Sequence, residues 1–131
     1  MPSQTSHSKQ FLKNYTSLTQ ILTDKKLAAL GDAYVNFVYS LAMSNRLKKP
    51  FGKKVKGAPL ANAVRKAGLR KLLPSRIDKH VLSDAAEALL VYAWLNEVLT
   101  LEESAKALEK NEDLETGLVQ LLTKATERIK L

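Results

Sequence analysis

Apolar residues recur at intervals of three and four along most of the chain, and no stretch alternates with a period of two for long. That is helical patterning. Phe11, Leu12, Tyr15, Leu18, Ile21 and Leu22 predict a first amphipathic helix. Thr23 or Asp24 can cap a second helix that runs to about Arg46. The segment 47–57, LKKPFGKKVKG, is a loop by its Pro, Gly and charge. Pro59 suits the first turn of a short helix ending near Gly68, and 69–73 can add one turn before Pro74. A long helix is expected over about 78–99. Thr100 with Glu103 makes a capping box for the next, which ends near Asn111, and Leu114, Leu118, Leu121, Leu122, Ala125 and Ile129 mark the last. The pattern predicts an all-α fold. Without an internal repeat or a low-complexity linker, residues 1–131 read as one domain, long enough to bury a core.

Two of these helices differ from the rest. Across 27–45 the only formally charged side chain is Asp32, so the helix reads as central and covered on all sides. Across 81–96 the only charges are Asp84 and Glu87, three apart and therefore on one helical face. An ionised carboxylate buried without a partner costs several kcal/mol, so such acids are protonated, paired or on a metal. Three carboxylates from two core helices could converge on one hard cation. Mg²⁺ takes oxygen ligands and keeps several waters. It can activate a water and stabilise the leaving oxygen in phosphodiester hydrolysis.

Each acid also has a structural reading. Asp84 followed by Glu87 fits a helix-start capping box. Asp32 could form a buried ion pair with a Lys or Arg of the basic segment, and Gly31 permits close helix contact. Trp94, Tyr34 and Tyr39 read as core aromatics, while His7 and His80 have no ligand or base partner at useful spacing.

Composition narrows the chemistry. The absence of cysteine excludes a disulfide scaffold, a thiolate nucleophile and a Cys-ligated zinc. No Ser or Thr has the elbow or triad context of a nucleophile. The polar start lacks the layout of a secretory signal, and no stretch is apolar enough for a membrane span, so the expected location is cytoplasmic. The formal charge of +8 is unevenly placed. Residues 1–45 carry +2, residues 46–80 carry twelve basic and one acidic side chain, or +11, and residues 81–131 carry −5. Such a block is a candidate polyanion site, because neutralising phosphates releases condensed counterions. Its candidate phosphate contacts are Lys48, Lys49, Lys53, Lys54 and Lys56, with Arg65, Lys66, Arg70 and Lys71 as second choices.

The segment Leu30-Gly31-Asp32-Ala33, opening a hydrophobic helix, resembles the signature of the ribonuclease III catalytic domain, roughly Glu-x-Leu-Glu-Phe-Leu-Gly-Asp-[Ala/Ser]. Some fifty residues on, Asp84-Ala85-Ala86-Glu87-Ala88-Leu89 matches the family's Asp-x-x-Glu-Ala-Leu. The likeness covers about residues 8–100, is looser over the last two helices, and is to compact members without a separate double-stranded-RNA-binding domain. It implies an all-α bundle of about six to seven helices and a homodimer. It also implies cleavage of double-stranded RNA with Mg²⁺, or Mn²⁺, leaving 5′-phosphate and 3′-hydroxyl ends. Carried over by position, Asp32, Asp84 and Glu87 are the catalytic metal ligands. The chain departs from the signature at Ala28, where the family has a fourth acid, and at Lys25, where it has another Glu. Asp24, two turns before Asp32, could act through a water. Those departures favour an alternative, a catalytically impaired RNA-binding or assembly module on the same fold. A third reading is a helical adaptor whose basic loop meets an acidic partner.

Overall fold

The computed structural model describes residues 10–131; the reading of the polar start and that of His7 fall on residues outside those described. Six α-helices follow one another: α1 (Leu18–Leu22), α2 (Lys25–Leu47), α3 (Gly57–Lys66), α4 (Lys79–Leu95), α5 (Leu101–Lys110) and α6 (Leu114–Arg128). A 3₁₀ turn, Arg70–Leu72, lies between α3 and α4, and the described residues contain no strand. No helix among them is long and apolar enough to cross a membrane.

Short polar side chains start most of the helices. Asp24 accepts from the Leu27 amide at 3.1 Å, Asp78 from those of His80 and Val81 at 2.9 and 3.1 Å, and Thr100 from that of Glu103 at 3.0 Å. Each such cap contributes about 1 kcal/mol. The Asp78 cap sets Asp84 and Glu87 well inside α4, so this pair is not the capping box that its spacing allows. The first helix is shorter than its periodicity predicts, because Ser17 caps it and leaves only five helical residues. Tyr15 lies ahead of it, its hydroxyl donating to Asp24 at 2.6 Å and its ring edge-on to Tyr92. Helix α4 likewise ends at Leu95 rather than 99. There the Asn96 side chain donates to the Tyr92 carbonyl, Glu97 turns left-handed at φ 60°, and the Leu99 amide folds back to Ala93.

Helix α4 is the centre of the bundle. Its small residues, Ala85, Ala86, Ala88 and Ala93, are fully buried and let α1, α2, α3 and α6 approach it closely. Helix α2 is covered on one side only: its buried positions, Leu27, Ala28, Gly31, Val35, Val38 and Ala42, form a single stripe. On the other side Leu30 and Phe37 are 42 % and 55 % exposed, contrary to a helix covered all round, because no described element of the same chain covers that face. Trp94 is also at the surface, 41 % exposed and stacked on Tyr34 at 5.0 Å between ring centroids, not in the core.

Candidate active site

Helices α2 and α4 meet tightly at Gly31. A Cβ placed there would sit 2.1 Å from the Glu87 carbonyl oxygen, so only glycine allows this crossing. The crossing sets the next residue, Asp32, beside the Glu87 side chain. Glu87 is buried and hydrogen-bonds to the Asp32 carboxyl. Its burial, then that hydrogen bond, then the charges of Asp32 and Asp84 push the Glu87 carboxyl up to about 8, while Lys54 acts the other way. At neutral pH Glu87 is therefore mostly protonated.

Asp84, one turn earlier on α4, lies in electrostatic range of Glu87 and is half-buried. Among the described residues no three His, Cys, Asp or Glu side chains are grouped so as to hold a metal ion. The expected convergence of three acids thus takes the form of a contacting pair, Asp32 and Glu87, with Asp84 alongside. No Lys or Arg forms a salt bridge with Asp32 among the described residues, so the ion-pair reading of Asp32 does not describe this fold. Ala28, one turn before Asp32, is buried and presents only a methyl group. Asp24 is committed to the cap. Burial alone would raise its carboxyl, but the hydrogen bonds from Tyr15 and Leu27 outweigh this and hold it below the usual carboxylate range.

The basic segment after α2 is ordered by a feature that sequence reasoning missed. Asn36, Ser40 and Ser44 stand four apart along α2 and form a polar stripe. Ser44 Oγ accepts from the Phe51 amide at 2.9 Å and donates to the Ser40 carbonyl at 2.8 Å, with the Phe51 carbonyl at 3.2 Å. Ser40 Oγ accepts from the Lys53 amide at 3.0 Å and donates to its carbonyl at 3.1 Å. Asn36 Oδ1 accepts from the Val55 amide at 2.7 Å. Residues 51–55 therefore run extended along α2, alternate residues bonded to it, and Lys54 comes to act on Glu87. The only signal is the spacing of three small polar residues beside a segment that reads as a free loop. Ser40→Ala should cost about 1 kcal/mol and speed hydrogen exchange of the Lys53 amide many-fold. Unchanged exchange would mean the segment is held by something else.

The cations divide by occupation. Lys48, at the left-handed end of α2, and Lys49, Lys53, Lys54, Lys56 and Lys71 are exposed. Lys66 is paired with Glu115, Arg65 donates to Asn62 at 3.0 Å, and Arg70 holds the Pro74 and Ser75 carbonyls at 3.0 and 2.8 Å. Those three second-choice contacts serve the fold here, because carboxylate, amide and carbonyl acceptors stand within their reach. Beside Asp84, a groove of about 240 Å³ is lined by Leu22, Thr23, Lys25, Arg76, Val81 and Asp84 among others. Nothing in the sequence singles out Arg76, since only the fold brings 74–77 beside the start of α2.

A family profile described as Ribonuclease III matches residues 25–130. The chain belongs to the ribonuclease III family. The match begins at the first residue of α2 and spans both acid-bearing helices. It also takes in α5 and α6, whose likeness to ribonuclease III was the looser part of the motif reading. The all-helical architecture agrees with that membership. A search of curated proteins found no match.

The ribonuclease III family implies a divalent metal, and the donor set can be weighed against it. Asp32 and Glu87 offer hard carboxylate oxygens next to each other at the helix crossing. Mg²⁺ is commonly held by one or two carboxylates, with waters and substrate phosphate completing the octahedron. The pair fits such an ion; a cage of four acids is not available, because Ala28 brings no oxygen.

Proposed function

We propose that the chain is a Mg²⁺-dependent endoribonuclease that hydrolyses phosphodiester bonds of double-stranded RNA, serving RNA processing. The observation that carries this reading is the pairing of half-buried Asp32 with buried Glu87 at the helix crossing, together with an ordered basic segment whose Lys54 acts on Glu87. Asp32 and Glu87 hold the metal and Asp84 meets its outer waters; when bound, Mg²⁺ (or Mn²⁺) supplies an activated water and stabilises the leaving oxygen. Gly31 fixes the spacing of the two acids. The ladder from Asn36, Ser40 and Ser44 holds the basic segment along α2 with Lys54 acting on Glu87, and Lys53 and Lys54 take the phosphates together with Lys48, Lys49, Lys56 and Lys71. An A-form duplex is recognised by shape and 2′-hydroxyls, so sequence preference is weak. The uncovered face of α2, with Leu30 and Phe37, and the adjoining groove at Leu41 and Phe51 support a homodimer with two-fold symmetry.

A second reading rests on Ala28, whose methyl occupies the place of the family's fourth acid. In it the protein binds duplex RNA without cutting it. One assay separates the two: incubation of a long RNA duplex with wild type, Asp32→Asn and Glu87→Gln in Mg²⁺. The nuclease reading expects cleavage by the wild type and a loss of at least about a hundredfold in both variants. Binding without cleavage by the wild type supports the second reading. Cleavage undiminished in the variants removes the acids from the mechanism.

A further inference from the structure

The groove beside Asp84 carries two cations, neither in a salt bridge with a carboxylate among the described residues. Lys25 starts α2, Arg76 belongs to the connection ahead of α4, and the fold brings both to the same groove. Both are exposed, and neither forms a salt bridge among the described residues. Of the two acids lining the groove, Asp24 takes the Tyr15 hydroxyl and the Leu27 amide, and Asp84 acts electrostatically on Glu87. Its remaining wall is apolar, including Ile77 and Val81.

Lys54 acts on Glu87 from the ordered basic segment, and Lys25 and Arg76 line the groove together with Asp84, which is itself in electrostatic range of Glu87. A strand bound at the acids would meet the groove at Asp84. We propose that this groove is a backbone subsite for duplex RNA: Lys25 and Arg76 take the phosphate of one nucleotide whose ribose lies against Ile77 and Val81. The volume, about 240 Å³, is below that of a pocket for a drug-sized ligand and suits one nucleotide's worth of apolar contact. The subsite rests on the proposed action on RNA and extends it, because it lengthens the bound strand beyond the acids and gives Lys25 a part in binding.

The test is duplex binding at a series of salt concentrations, with Ca²⁺ in place of Mg²⁺ so that no cleavage intervenes. Each lost phosphate contact flattens the plot of log affinity against log salt by about 0.9. Lys25→Ala with Arg76→Ala should flatten it by about one to two such steps. Lys106→Ala with Lys110→Ala, which removes the same charge from α5, should leave the slope unchanged. Methyl resonances of Ile77 and Val81 should shift when wild type binds the duplex. A slope unaltered by the Lys25 and Arg76 substitutions, equal flattening by the α5 control, or unmoved methyls overturns the subsite while leaving duplex binding intact. Failure of the wild type to bind the duplex at all overturns the RNA reading and the subsite with it.

Discussion

Glu87→Gln should make the metal-free protein more stable than the wild type, by a margin that widens as pH rises from 4.5 to about 8. The Glu87 carboxyl titrates near 4.5 in the unfolded chain but is pushed up to about 8 in the fold, chiefly by burial and by Asp32. Between those values the native state binds a proton that the unfolded state has lost, so stability falls with rising pH. Below the unfolded value this contribution is whole; it is lost as pH climbs through the folded value. Each tenfold difference in proton affinity between the two states is worth about 1.4 kcal/mol, so a gap on the order of a few kcal/mol is expected by pH 8. The substituted glutamine keeps the neutral shape and can donate to Asp32 without ever ionising. Urea unfolding of both proteins at several pH values reads this directly. Parallel stability profiles would mean that Glu87 ionises normally in the fold. An acid kept at such a cost to stability points to a task other than folding.

Gly31→Ala should be the most damaging single methyl in the molecule. The added Cβ would fall 2.1 Å from the Glu87 carbonyl oxygen and 2.4 Å from its carbon, both backbone atoms that cannot swing aside. Helices α2 and α4 would have to move apart, opening the centre of the core. Overpacking of this kind costs about 1–3 kcal/mol and occasionally more; a backbone collision between the two most extensively packed helices lies at the upper end. Because the same crossing aligns Asp32 with Glu87, the substitution should also return the Glu87 titration toward the ordinary carboxylate range. Gly52→Ala, where a Cβ meets nothing within 4 Å, is the control and should be close to neutral. Equal stability of the two variants, measured by denaturant unfolding, would show that the crossing is looser than the backbone geometry requires.

The order and kind of the elements were legible because the three-and-four apolar rhythm and the capping residues Asp24 and Thr100 are local signals. The ends of α1 and α4 were less so, since Ser17 and Glu97 stop these helices while the apolar rhythm continues past them. Asp32 and Glu87 stood out as charges in apolar helices, and only the helix crossing could reveal that they touch. The same logic misjudged α2. An apolar sequence says that a surface is to be covered, without saying whether the same chain covers it, and Leu30 and Phe37 lie bare. Trp94 was misplaced for the same reason. What sequence could not supply was long-range: the dock of 51–55 on Asn36, Ser40 and Ser44, and the meeting of Lys25 with Arg76.

The proposed chemistry requires that Asp32 and Glu87 jointly hold one divalent ion. Calorimetric titration of the wild type with Mn²⁺ should give one ion per chain, with affinity reduced at least about tenfold in Asp32→Asn and in Glu87→Gln alike, since each removes a ligand oxygen's charge. Binding of equal strength in all three proteins, or none in the wild type, would contradict it.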